Sequence, residues 1–129
     1  AAAVGSACHP RGKRPRLVYG TAGFRTSADK LEHVLYRMGV LAALRSKVLG
    51  GRAVGVMVTA SHNPACDNGA KLVEPMGEML PLDWEAYATT LANASDEGLA
   101  AAISDLVATC GADLSTPAEV LVGRDTRAS

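Results

Sequence analysis

Ser61, His62, Asn63 and Lys71 fall inside one stretch, VMVTASHNPACDNGAKL (residues 56–72), that begins as an apolar strand and then turns abruptly polar. A hydroxyl, an imidazole and an ammonium grouped at a strand end suit two chemistries. Acyl transfer by a serine needs a base whose ring reaches Oγ, with an orienting acid and an oxyanion hole. Immediate neighbours in extended chain point apart, and no G-x-S-x-G elbow is present, so hydrolysis is disfavoured. A serine that carries a phosphoryl group has other needs: exposure at a strand end, N–H donors, cations and usually a metal to spread charge. Thr59, His62 and Asn63 offer polar contacts, Pro64 fixes the exit, and Asn68-Gly69 is expected to turn the chain back so that Lys71 points at the same pocket. Lys71 could then act as base or charge stabiliser. A capping serine in a polar loop would explain S-H-N-P alone; the flanking residues carry the argument.

Two further segments carry charge next to glycine. In YGTAGFR (19–25), Gly20 and Gly23 permit close backbone approach to an anion, and Arg25 ends the loop with a fork that matches phosphate. The nucleotide-binding patterns G-x-x-x-x-G-K-[ST] and G-x-G-x-x-G are absent. In VGRDTRAS (122–129), an Arg124–Asp125 pair is expected to shape the turn, with Arg127 closer to the active face.

The elements that must position these groups read as α/β. Leu31, Val34, Leu35, Met38, Leu41 and Ala42 form one stripe of a helix expected over 27–49, capped by Thr26 or Ser27 and stopped by Gly50-Gly51. AVGVMVT (53–59) is a continuous apolar strand of the kind buried on both faces, AKLVEP (70–75) a second strand ahead of a turn at Met76-Gly77, and EVLVG (119–123) a third. Residues 82–92 and 96–109 read as helices, and residues 1–15 as a flexible basic arm. A final strand with no crossover after it suggests a domain cut short.

Composition narrows the class. At 129 residues, with 48% apolar and 20% charged residues, the chain is sized for one core. The formal net charge is zero, so no global attraction to nucleic acid or membrane is expected. That zero conceals an asymmetry: residues 1–56 hold ten Lys/Arg against Asp29 and Glu32, and residues 57–129 hold Lys71, Arg124 and Arg127 against eleven acids. The halves are expected to neutralise one another in part, with a cationic wall for an anionic ligand as the narrower reading. Cys8, Cys66 and Cys110 are an odd, scattered set without a C-x-x-C pair, which speaks against disulfides or zinc and for a reducing compartment. With no apolar span and no signal peptide recognisable at the start, the expected location is the cytoplasm.

Taken together, T-A-S-H-N-P, the downstream N-G-x-K, G-T-A-G-F-R and V-G-R-D-T-R resemble the α-D-phosphohexomutase superfamily over residues 17–129. The GRD-x-R strand follows the serine loop here, an order that resembles the eukaryotic branch acting on N-acetylglucosamine phosphates. The resemblance implies a mixed sheet with helices packed on it, forming most of the first of four domains (residues 16–129). It implies isomerisation of N-acetylglucosamine 6-phosphate and 1-phosphate through a sugar bisphosphate, on the way to UDP-N-acetylglucosamine. Ser61 would carry the phosphoryl group and, through it, ligate Mg²⁺, with the remaining ligands outside this chain. Lys71 and His62 would serve catalysis; Arg25, Thr59 and Asn63 would bind phosphate or substrate. Its partners would be a small sugar phosphate and the remaining domains of the same enzyme. A related hexose mutase such as a phosphoglucomutase, or a non-catalytic fragment acting only by interaction, are the alternatives. The D-x-D-x-D-R cluster that binds the metal in this superfamily is absent.

Overall fold

The computed structural model describes residues 2–129, with the side chain of Ala2 left aside. In chain order the elements are α1 (Ala2–Cys8), β1 (Phe24–Ser27), a 3-10 turn at Ala28–Lys30, α2 (Glu32–Val48), β2 (Val54–Val58), β3 (Asp67–Val73), α3 (Leu82–Asn93), α4 (Leu99–Cys110) and β4 (Val120–Arg124). The strands make one mixed sheet in the order β1-β3-β2-β4. β3 is antiparallel to both β1 and β2, whereas β2 and β4 run parallel from Val54↔Val120 to Val58↔Arg124. The expected α/β class with a mixed sheet is what the chain forms.

Helix α2 holds the fold together because it is buried over a wide arc. Val34, Met38, Leu41 and Ala42 are buried in the same core as Val54, Val56, Ala70 and Leu72 of the sheet. On another side of α2, Ser46 Oγ accepts the Glu119 N–H at 2.9 Å just ahead of β4, and Arg37 is turned to the end of α3. The fully buried Arg37 donates to the carbonyls of Leu91, Ala92 and Ala94 at 3.0, 3.1 and 2.6 Å and to Asp96 Oδ1 at 3.1 Å. It therefore occupies the carbonyl end of α3, where orphan acceptors and the helix dipole favour a cation. Arg45 is held by Glu74 through two bonds of 2.9 and 2.7 Å and lies 4.9 Å over the Trp84 ring. Both pairs join a base from the first half to an acid from the second, which is how the two oppositely charged halves offset each other.

Several boundaries differ from the sequence reading. Residues 24–27 form a strand rather than the end of a loop, and α2 starts at Glu32 behind Leu31, with no side-chain cap from Thr26 or Ser27. The glycine stop holds: Gly50 and Gly51 have φ of 69° and 89°, and Gly51 N–H returns to Ser46 O at 2.8 Å. β2 is covered on one face only, by α2. Its other face, with β3 and β4 beside it, leaves Met57 43% and Leu121 59% exposed among the described residues.

Where the sequence suggested an arm, residues Ala2–Cys8 are helical and the basic run that follows is tied down. Ser6 Oγ donates to Asp96 O at 3.0 Å, and the N–H groups of Arg11 and Gly12 donate to the Asp96 carboxylate at 2.7 and 2.9 Å. Leu17 N–H donates to Asn93 Oδ1 and Tyr19 N–H to Thr89 Oγ1. The segment is thus laced to α3 and the loop after it. Burial pushes the Asp96 carboxyl up, but the Arg11 and Gly12 N–H donors and then Arg37 outweigh it and hold the carboxyl below its ordinary value.

His33 lies in this cationic corner, 1% exposed, with Nδ1 buried and unpartnered. Burial, then the charges of Arg37, Arg14 and Arg11, push its pKa down to about 4; only Asp96 opposes them. The unfolded chain therefore binds this proton between about pH 6.5 and 4 while the folded chain does not, so stability is full above that window and is lost as pH falls through it. Denaturation followed from pH 7 to 4 is expected to show a loss of up to about 3 kcal/mol from this group. His33→Gln is expected to flatten that slope, while the steeper loss below pH 4 from the depressed carboxyls persists; an unchanged slope would show that His33 titrates normally.

Candidate active site

The Ser61 loop leaves β2 and returns as β3, the strand next to it. Two consecutive turns span the gap. Asn63 N–H donates to Ala60 O at 2.9 Å, and Asp67 N–H donates to Pro64 O at 3.0 Å. In the first turn His62 has φ 76° and is the one non-glycine residue with positive φ among those described. A positive φ at the third position alone is the type II pattern, which ordinarily selects glycine. Ser61 consequently stands at the corner before it, exposed. Holding His62 in this left-handed conformation costs roughly 1 kcal/mol or more, so the rest of the loop must over-determine it.

Arg25 comes from β1, the far side of β3. Its Nη1 donates to Asn63 Oδ1 at 3.2 Å, while Asn63 Nδ2 donates to Asp67 Oδ2 at 3.1 Å. The structure thus brings Arg25 to the loop across 38 residues of sequence. Arg25 pairs with Gly69 and Met57 with Lys71. Directly opposed residues share a face and residues two apart share a face, so Arg25, Lys71 and Met57 all lie on the open side of the sheet. Gly23, with φ 72°, makes the approach that places this edge: a Cβ there would stand 3.0 Å from Lys71 Cβ and 2.3 Å from Ala70 O.

Asn68 and Gly69 do not make the expected hairpin turn; they lie inside β3. Gly69 is required for proximity. A Cβ on it would sit 2.6 Å from Phe24 O and 2.7 Å from Thr59 O, and its own carbonyl accepts the Thr59 N–H at 3.2 Å. Asn68 is buried, with Oδ1 accepting the Gly69 N–H and Nδ2 donating to Ser129 O, both at 2.9 Å.

The Arg124–Asp125 pair also does not form. Arg124 is exposed, and Asp125 instead accepts from Arg127 Nε at 2.7 Å and from Thr59 Oγ1 at 2.8 Å. The Thr59 hydroxyl, then the Arg127 contacts, outweigh desolvation and hold the Asp125 carboxyl below its ordinary value. Adjacent-residue pairing was the wrong guess because strand geometry aims Arg124 and Asp125 to opposite sides, whereas Asp125 and Arg127 share one. Among the described residues no three His, Cys, Asp or Glu side chains are grouped to hold a metal ion. Cys66 is exposed and free. Among those residues, no helix is long and apolar enough to cross a membrane.

The structure thus places an exposed serine at a strand-end double turn, an arginine on its flank and a lysine on the adjoining face of a mixed sheet. Residues 40–98 match the family described as phosphoglucomutase/phosphomannomutase, alpha/beta/alpha domain I, and the chain is similar over nearly all of its length to a solved member of the α-D-phosphohexomutase superfamily (TM-score 0.93, 49% identity, 98% of this chain and 28% of that one). Individual relatives share about half of its residues. The chain is 54% identical to phosphoacetylglucosamine mutase of Sus scrofa, over 96% of this chain and 23% of that protein. It superposes on a crystal structure of Aspergillus fumigatus N-acetylphosphoglucosamine mutase in complex with glucose 1,6-bisphosphate with a TM-score of 0.95 and 51% identity, over 99% of this chain and 24% of that one. A structure of the Aspergillus enzyme with GlcNAc-6P and magnesium gives 0.88 and 53%, over 98% and 23%. The chain spans about a quarter of the length of these relatives.

Because the contact at Gly69 is between backbones, Gly69→Ala is expected to lower stability by about 1–3 kcal/mol. Urea denaturation of the variant checks this; a loss under about 0.5 kcal/mol would mean that β1 and the loop can separate without strain.

Proposed function

We propose that the complete protein carrying this chain is a phosphoacetylglucosamine mutase, interconverting N-acetylglucosamine 6-phosphate and N-acetylglucosamine 1-phosphate. The observation that carries the reading is the exposed Ser61 corner, flanked by Arg25 through Asn63, in a chain about half identical to such enzymes. The same identity favours this reading over a phosphoglucomutase. The chain's place would be carbohydrate metabolism in the cytoplasm, in the supply of UDP-N-acetylglucosamine.

In the reaction, Ser61 Oγ carries a phosphoryl group. The sugar 1-hydroxyl attacks phosphorus, the Oγ–P bond breaks and a 1,6-bisphosphate forms. After the sugar turns over, Ser61 Oγ attacks the 6-phosphate and recovers a phosphoryl group, leaving the 1-phosphate. Lys71 takes the hydroxyl proton and returns it in the second half. Arg25 offsets charge beside the phosphoserine, which bears about −1.5 to −2 at neutral pH. His62 and Asn63 hold the corner, and Thr59, on which the loop begins, would serve phosphate or substrate binding.

Among the described residues no three carboxylate, His or Cys side chains are grouped to hold a metal ion, so the group that would ligate Mg²⁺ from this chain is a phosphate carried by Ser61. A related enzyme has been crystallised with GlcNAc-6P and magnesium. When bound, the ion would neutralise the transferring group; its other ligands would come from the rest of the protein.

Ser61→Ala in the complete protein is expected to lower turnover by several orders of magnitude, because the covalent relay is lost. The assay follows 1-phosphate formation from N-acetylglucosamine 6-phosphate with Mg²⁺ and the sugar bisphosphate supplied; near wild-type turnover would overturn the assignment. Residues 1–129 alone are expected to show no turnover above background in the same assay, since positioning and charge neutralisation are both incomplete. Turnover by that fragment that vanishes with Ser61→Ala would place the metal and sugar sites within this chain.

A further inference from the structure

β2, the strand that leads into the serine loop, ends in register with β4. β2 and β4 pair in parallel with a constant offset from Val54↔Val120 to Val58↔Arg124. The next step of that register is Thr59 beside Asp125, where the Asp125 N–H donates to Val58 O at 3.3 Å and Thr59 Oγ1 donates to Asp125 Oδ2 at 2.8 Å. This carboxylate therefore grips the residue on which the loop begins. Arg127, two residues on, is fixed to the same carboxylate by Nε at 2.7 Å and by its own N–H at 3.2 Å. Its Nη1 then reaches the other end of the loop, donating to Asp67 O at 3.1 Å and to Pro64 O at 3.4 Å. Those carbonyls belong to the second of the two turns, the one that hands the chain to β3. Ser129 adds its hydroxyl to Asp67 O at 3.3 Å and its carbonyl to Asn68 Nδ2 at 2.9 Å.

One ion pair thus holds the first residue of the loop with its carboxylate and the last residues with its guanidinium. A planar fork can do this where a point charge cannot, because separate N–H donors leave it in fixed directions. The hydrogen bonds of both residues go to each other and to the loop's ends, and not to Ser61. We propose that Asp125 and Arg127 are positioning residues for phosphoryl transfer, a clasp that fixes the separation of the two loop ends and hence the placement of the Ser61 corner. The catalytic part of this inference rests on the mutase reading; the mechanical part does not.

The test uses the full-length protein with Arg127→Met, Arg127→Lys and Asp125→Asn, read by amide hydrogen exchange, thermal melting and steady-state kinetics. Arg127→Met is expected to speed exchange in residues 59–67 by about tenfold or more, with the rest of β2 and β3 and the melting temperature close to wild type. Turnover is expected to fall by about ten- to a hundredfold with KM for the sugar phosphate within about twofold, as misplacement of a reacting group predicts. Lysine at 127, a charge without the fork, should restore only part of the turnover, and Asp125→Asn should loosen the same residues, so one poorly folding variant does not remove the test. Unchanged exchange in residues 59–67 would overturn the clasp. Exchange rising throughout the sheet together with a fall in melting temperature would also overturn it, since that is a structural strut and nothing more. If the wild-type protein shows no mutase turnover, the functional reading fails, and the exchange comparison still decides whether the clasp exists.

Discussion

The geometry of the site depends on how closely β1, β3 and the start of the serine loop approach one another at Gly69. With no Cβ there, the carbonyls of Phe24 and Thr59 both come within the space a side chain would fill. That proximity lets an eight-residue excursion, 59–66, leave and re-enter adjacent strands as two tight turns. Tight turns at both ends leave little freedom in between, and the chain meets the remaining constraint by placing His62 in a conformation that non-glycine residues avoid. The strain sits one residue after Ser61, where it turns the serine outward. The bonds at both loop ends, from Asp125, Arg127 and Arg25 by way of Asn63, over-determine the turn.

A second frame lies on the far side of α2 and serves stability. Arg37 is fully buried, yet it is compensated by three carbonyls at the end of α3 and by Asp96. A buried guanidinium with one partner would be destabilising; one set at a helix C-terminus meets acceptors that would otherwise be orphaned. Its Nε, with Arg11 Nε and His33 Nδ1, remains without a partner among the described residues, and burial beside these guanidinium charges is why His33 resists protonation. The site and this frame lie at different parts of the molecule. The acid sensitivity arising from His33 is therefore a property of the fold, not of the serine loop.

Much of this was legible in the sequence because it is local. The stripe through Val34, Met38 and Leu41, the glycine stop at Gly50-Gly51 and the polar break after Val58 each report on neighbours a few residues away. What escaped was set by pairing between distant segments. Phe24–Ser27 looks like the tail of a glycine loop, and it is a strand because β3 offers it an edge. Asn68-Gly69 has the composition of a turn, and only the approach of Phe24 and Thr59 shows that the glycine is there for space. Asp125 was assigned to Arg124 because they are adjacent, whereas its partners follow from the parallel register of β2 and β4. The helix at Ala2–Cys8 gave no periodic signal, being short and Ala-rich. Its docking depends on Gly5, where a Cβ would overlap the Tyr36 ring.

The charge distribution around Ser61 sets what this chain can do by itself. On the proposed mutase reading, a phosphoserine of about −1.5 to −2 meeting a sugar phosphate of similar charge would need at least as much positive charge nearby as it brings. The described residues of the open sheet face offer Arg25, bonded through Asn63, and Lys71 on the neighbouring strand. Arg127, although close in space, is committed to Asp125, and its charge is already offset by that carboxylate. Asp67 adds a negative group to the loop itself, hydrogen-bonded to Asn63. Against two phosphates these groups would leave a deficit, the more so because Lys71 must be neutral at the moment it accepts the hydroxyl proton, and a divalent ion with further basic residues would close it. The serine loop is built so that its own scaffold is close to electrically balanced, with Asp125 against Arg127 and Asp67 near Arg25 through Asn63, and on the mutase reading the neutralising charge for the reaction would have to come from outside that scaffold.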